Sequence, residues 1–199
     1  MADWDADGPT LRQNLVRTLR RIRDSAAVRG TVRARDAATW HREIMDGLDA
    51  PKPEYVGRFR GEPGTEAVRV LVGAHEGVPP DQVADAVAIF ERKLNQVLAR
   101  LDALIPAGTA LDADTLAAVL DVCGWAHAEW VRVHPFVNGN GRTARLWANY
   151  VAMRYGLPPF VRLRPRPESD AYAHAGSEAM KGNWNPTAEV FRIMLREFW

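Results

Sequence analysis

The stretch HPFVNGNGRTAR, residues 134–145, constrains the fold more than any other part of the chain. Proline, glycine and asparagine all disfavour helix, yet segments of helical periodicity lie directly on both sides. Upstream, LDADTLAAVLDVCGWAHAEWVRV places Leu116, Val119, Leu120, Cys123, Ala126 and Trp130 on one apolar face. Downstream, RTARLWANYVAMRYG starts a new helix immediately after the glycines. A helix, a tight glycine turn and a second helix therefore form the centre of the fold.

The flanking sequence adds more helices. PTLRQNLVRTLRRIRDSAAVRG has Pro9 in its first turn, Leu11, Leu15, Leu19 and Ile22 at helical spacing, and Gly30 at its end. RDAATWHREIMDGL reads as a helix closed near Gly47, and PPDQVADAVAIFERKLNQVLARLDAL as a long amphipathic one. Two more are predicted near 168–181 and 186–198. The segment YVGRFRGEPGTEAVRVLVG breaks this pattern: Val68, Val70 and Val72 alternate and GEPG is turn chemistry, which predicts a short β-hairpin at about 57–73. The expected class is mostly all-α, one domain over residues 1–199, with one small hairpin.

With 199 residues the chain is long enough for a sizeable core. No apolar run approaches the ~18 residues of a membrane span, and the N-terminus lacks a basic-then-apolar signal layout, so a soluble cytoplasmic protein is expected. The single Cys123 excludes an internal disulfide framework and a multi-cysteine metal site. Charge is segregated. Between Glu129 and Glu168 there is no acidic residue and no lysine, but there are seven arginines: Arg132, Arg142, Arg145, Arg154, Arg162, Arg164 and Arg166. The net charge is +1, so this gap carries +7 and the rest of the chain −6. Such segregation marks a surface that meets an anion, and arginine suits bidentate phosphate contacts. A nucleic-acid reading is disfavoured, because the arginines are scattered and lack interleaved exposed aromatics.

Within the turn, Gly139 and Gly141 allow a ligand to approach the main chain. The helix that begins near Arg142 leaves its first N–H groups unpaired, which makes a phosphate cradle. The helix dipole contributes about 0.3–1 kcal/mol at an exposed site. A guanidinium at ~4 Å contributes about 4 kcal/mol at an effective dielectric near 20. The arginines therefore dominate anion affinity and the backbone sets geometry. Arg142 and Arg145, at i and i+3, are expected on one helix face. Phe136 is expected in the core, and Asn140 bonds either the phosphate or its own loop. His134 at the other lip of the turn, with an unperturbed pKa of about 6.5, is mostly neutral at pH 7 and able to accept a hydroxyl proton. A base beside a phosphate cradle points to phosphoryl or nucleotidyl transfer to an alcohol. His127 reads as a hydrogen-bonded core histidine; His41, His75 and His174 show no constellation.

The sequence here resembles the Fic-domain family. Its signature is His-Pro-Phe, a variable residue, an acidic residue, Gly-Asn-Gly-Arg, two residues and a final Arg. WHREIMDGL followed by GRFR, HAEWVRVHPF, and YAHAGSEAM followed by Phe also resemble the family's elements, so the likeness covers about residues 35–199. It implies a Fic core over 31–199 with residues 1–30 as a helical extension. It also implies an adenylyltransferase that moves AMP from ATP, with Mg2+, onto a Ser, Thr or Tyr hydroxyl of a target protein. By that resemblance His134 is the general base. Gly139, Asn140 and Gly141 hold phosphates, Arg142 and Arg145 bind the β- and γ-phosphates, and Tyr172 lies near the adenine. The hairpin, with Gly57, Arg58, Phe59, Val70 and Val72, holds the target by strand-like pairing.

The chain departs from the signature at Asn138, where the family carries an acidic magnesium ligand. An amide oxygen can ligate magnesium but brings no charge. Three readings stay open: AMP transfer with the metal held mainly by phosphates, use of a different donor, or a nucleotide-binding module with little turnover. Many relatives also carry an inhibitory Ser/Thr-x-x-x-Glu-Gly/Asn helix. Only Thr39 to Glu43 has that spacing, and Ile44 follows, so Glu43 reads as local structure. Inhibition, if present, is then expected from a separate antitoxin chain or from a homo-oligomer.

Overall fold

The computed structural model describes residues 8–198. Among them are seven α-helices: α1 Pro9–Val28, α2 Asp36–Met45, α3 Val83–Leu104, α4 Ala113–Val133, α5 Asn140–Arg154, α6 Asp170–Met180 and α7 Asn185–Phe198. One antiparallel ribbon, β1 Leu71–Val72 with β2 His75–Glu76, accompanies them. The antiparallel pair α4 and α5 is the spine, joined by the 134–139 turn. The helices α6 and α7 pack on α4, as does α3, while α1 packs on α5 and α2.

Local sequence explains the helix ends. Pro9 occupies the first turn of α1. Asp112 caps α4, accepting from the Thr115 N–H at 2.8 Å while Thr115 Oγ1 accepts from the Asp112 N–H, a reciprocal capping box. Ser169 caps α6. Helix α5 starts from Gly139 as its N-cap, and its first turn has neither a side-chain cap nor an acidic residue.

The core is aromatic around the spine. Trp130 and Trp147 are fully buried with centroids 5.7 Å apart, and Phe90 lies 5.0 and 5.5 Å from them. Edge-to-face packing of this kind adds about 0.5–1.5 kcal/mol per pair beyond area burial. A Cβ on Gly124 would lie 2.7 Å from the Ala188 Cα, so this glycine sets how closely α7 approaches α4. The predicted extension is built into this core: Leu11, Leu15, Ile22 and Ala26 of α1 are buried. Asn14 Nδ2 donates to the Ile44 and Asp46 carbonyls at the end of α2.

The hairpin lies further along the chain than the alternation predicts. Its strands pair Leu71 with Glu76 and Val72 with His75 around Gly73, which has φ +60°. The GEPG turn is separate: Thr65 N–H donates to Glu62 O and Thr65 Oγ1 to Phe59 O, folding 59–65 into a compact coil. Val68 falls between the two features and belongs to neither strand. No helix among the described residues is long and apolar enough to cross a membrane.

Candidate functional site

Helix α4 ends at His134, which adopts a left-handed conformation with φ +52°. Its N–H donates to Trp130 O at 3.0 Å. Its ring Nδ1 lies 3.0 Å from Val131 O. A carbonyl can only accept, so Nδ1 carries the proton and Nε2 keeps its lone pair. Burial, with the nearby Arg60 charge, depresses the imidazole pKa to about 4 against the opposing pull of the Val131 bond. The ring is therefore neutral at pH 7 with its basic nitrogen defined.

The turn beyond it is held by side chains that clamp backbone. Asn140 Nδ2 donates to Phe136 O at 2.8 Å, and Phe136 N–H donates to Asn140 Oδ1 at 2.8 Å. Asn140 is 2% exposed, so its side chain serves the loop and only its N–H remains for an anion. Phe136 is buried and stacks on His41 at 4.2 Å with 19° between planes. His41 Nδ1 accepts from Gly57 N–H, so its Nε2–H donates to Asn138 O at 2.9 Å. Burial holds this imidazole neutral with a pKa of about 4. Gly139 has φ +78°, and a Cβ there would lie 3.0 Å from His41 Nε2 and Met45 Cε. Both reasons require glycine.

Both arginines lie in the first turns of α5. Arg142 acts electrostatically on His41. Arg145 folds back over Gly141, where a Cβ would lie 3.3 Å from its Nη1. From there Nη1 donates to Tyr172 Oη at 3.3 Å and Nη2 to Leu163 O at 3.4 Å. The Arg145 Nε is buried without a hydrogen-bond partner. Both residues are nearly covered, at 3% and 4% exposed. Tyr172 is buried as well, its Oη shared by Arg145 and His127 Nε2 at 2.9 Å. The residue is 6% exposed, and its hydroxyl accepts from Arg145 Nη1 at 3.3 Å. His127 is a core histidine, with its pKa pushed by burial to about 3. The other gap arginines disperse: Arg132 pairs with Glu129, Arg154 with Asp102, and Arg166 lies over the Tyr172 ring.

Of the residues assigned to the target-holding hairpin, Gly57 and Phe59 are buried beneath the turn. Phe59 packs 5.0 Å from Phe136, and Arg58 Nη1 donates to Pro63 O. All three lie outside the ribbon. Val70 and Val72 do belong to the hairpin, half-buried beside the exposed Leu71. Two residues missed by sequence reasoning organise the site. One is His41, described above. The other is Arg60, 1% exposed, which donates to His134 O, Val133 O, Val78 O and Val68 O. Its cue is the GRFR segment itself, where an arginine alternates with a buried phenylalanine.

The chain's donors do not fit a resident magnesium ion. Among the described residues no three His, Cys, Asp or Glu side chains cluster. The single oxygen at the signature position, Asn138 Oδ1, already accepts from Gly139 N–H at 2.5 Å. Magnesium favours carboxylates and phosphates, and this position offers neither.

The model of the Fic/DOC family matches residues 31–152. Protein adenylyltransferase Fic from Drosophila erecta is 32% identical over 152 residues, 76% of this chain and 26% of that protein. Its Drosophila melanogaster counterpart gives the same identity and coverage. The chain thus spans about a quarter of these relatives' length. Among solved structures, a Fic-domain signaling protein from Bacteroides thetaiotaomicron superposes with TM-score 0.68 at 18% identity, covering 94% of this chain and 68% of that one. BepC from Bartonella tribocorum, with bound AMPPNP, superposes with TM-score 0.61 at 18% identity, covering 98% and 90%. By sequence match and fold, the chain belongs to the Fic/DOC family.

Proposed function

We propose that this protein transfers AMP from ATP to a Ser, Thr or Tyr hydroxyl of a target protein. The observation that carries the reading is the fixed tautomer of His134: the Nδ1–H bond to Val131 O leaves Nε2 as a neutral base beside the uncapped start of α5. The names of the Drosophila relatives, and the AMPPNP held by BepC, support ATP as the donor.

In this mechanism the nucleotide's phosphates settle on the N–H groups at the start of α5 after the covering segments part. Arg142 and Arg145 then neutralise the β- and γ-phosphates. The target segment pairs with the 71–76 ribbon, which presents its hydroxyl to His134. Nε2 takes the hydroxyl proton as the oxygen attacks the α-phosphorus. The bond from the α-phosphorus to the bridging oxygen breaks, and pyrophosphate leaves with its negative charge on the arginines and the helix start. Magnesium enters bound to ATP, as substrate. Action in the cytoplasm, and control by a separate antitoxin chain or self-association, belong to the same reading.

A second reading rests on Asn138. Its oxygen is engaged by Gly139 and brings no charge, which favours a module that binds nucleotide, or moves another phosphate-bearing group, with weak AMP transfer. Mass spectrometry of a lysate incubated with the protein and ATP separates the two. The first reading expects AMP adducts on hydroxyl side chains. Their absence, with ATP still bound, selects the second.

A further inference from the structure

We propose that Arg60 and Gly77 form the positioning pair for His134, locking its imidazole against the base of the hairpin. A hydroxyl carried by the ribbon then arrives in register with Nε2. The inference rests on the transfer reading and adds two residues to it.

The geometry is specific. Arg60 Nε donates to His134 O at 2.8 Å and Nη2 to Val133 O at 3.2 Å. The same guanidinium donates through Nη2 to Val78 O at 2.7 Å and through Nη1 to Val68 O at 3.2 Å. Val68 and Val78 bracket the hairpin, so one buried plane ties both of its ends to the end of α4. The Arg60 main-chain N–H adds a bond to Pro135 O at 2.7 Å. All four side-chain acceptors are neutral carbonyls. Two of them end α4, where the helix dipole favours a cation. Gly77 completes the seat. Its N–H donates to Val70 O, and a Cβ on it would lie 2.8 Å from His134 Cβ and 3.1 Å from Arg60 Nη2. The hairpin can therefore abut the histidine only with glycine at 77. Among the described residues Arg60 is also the charged group that acts on this imidazole.

The full chain is tested as Arg60→Lys, Arg60→Gln and Gly77→Ala. Each variant is first checked for a cooperative thermal melt, then for ATP binding by calorimetry, for AMP transfer across pH, and for the His134 ring nitrogens by 15N NMR. Lysine keeps the charge but cannot hold four carbonyls in one plane. Arg60→Lys is expected to bind ATP as the wild type does and to lose about 100-fold in kcat, the scale of an ångström-sized misplacement, with its acid limb unmoved. Arg60→Gln is expected to lose kcat similarly and to shift the His134 titration upward. Gly77→Ala, which leaves Arg60 intact, is expected to lose kcat without that shift. Folded variants with wild-type kcat, or with ATP affinity falling in step with kcat, overturn the proposal. If the wild type transfers nothing, the function reading fails on its own. The NMR arm still decides the pair: His134 signals unchanged in both Arg60→Gln and Gly77→Ala overturn it.

Discussion

Two buried histidines, His41 and His127, and the partly buried His134 are expected to make this fold lose stability above the range in which carboxylates titrate. Burial depresses His41 and His134 to about 4 and His127 to about 3. In the unfolded chain each returns to about 6.5. Because the folded values are the lower ones, the unfolded chain binds more protons as pH falls through 6.5, so stability is lost on acidification. Between pH 7 and pH 5 each histidine removes about 2 kcal/mol, and the three together about 6. Domains of this kind are stable by about 5–15 kcal/mol, so that loss is a large share. Urea unfolding at half-unit steps from pH 7.5 to 5 measures it. The slope is expected to approach the uptake of three protons per molecule near pH 5. His127→Gln, which keeps a polar contact with Tyr172 but cannot titrate, is expected to lower the uptake by one. A flat stability between pH 7 and 5, or uptake of one proton or fewer, refutes the assignment of these rings as neutral in the folded protein.

Other perturbations probe the turn and its anion seat. Asn140→Ala leaves the Phe136 N–H and C=O buried without their partner, and a loss of about 2–3 kcal/mol in urea unfolding is expected. Arg145→Gln is expected to weaken ATP binding at least tenfold by calorimetry while the melt shifts little, since among the described residues its side chain makes two long hydrogen bonds. Asn138→Asp supplies the carboxylate that the site lacks. Transfer in magnesium is expected to rise, and no rise means that the ion bound to ATP already suffices.

The spine of this fold is legible in the sequence because its periods are long and its stops are strong. The face of α4, the break at residues 134–139 and the restart at α5 follow from spacing, proline and glycine alone. The hairpin was less legible: two strands of two residues carry no usable alternation, and the valine pattern at 68–72 runs across a coil. Gly57 and Phe59 read as part of the hairpin, yet they wedge beneath the turn, because their burial is set by His41 and Phe136 from elsewhere in the chain. The same distance hid the organising residues. His41 bonds partners 16 and 97 residues away, and Arg60 reaches carbonyls more than 70 residues on, so spacing does not reveal their partners, although GRFR marks Arg60 itself. Arg142 and Arg145 were legible as charges but not as covered ones, since the partners of Arg145, Tyr172 and Leu163, come from later in the chain.

The most direct test of the account is label transfer from ATP carrying radioactive phosphorus at either the α or the γ position. With wild-type protein, magnesium and a lysate, label is expected on protein from the α position only, and His134→Ala is expected to abolish it while still binding ATP. Protein labelled equally well by His134→Ala, or labelled from the γ position, contradicts a neutral His134 driving AMP onto a hydroxyl.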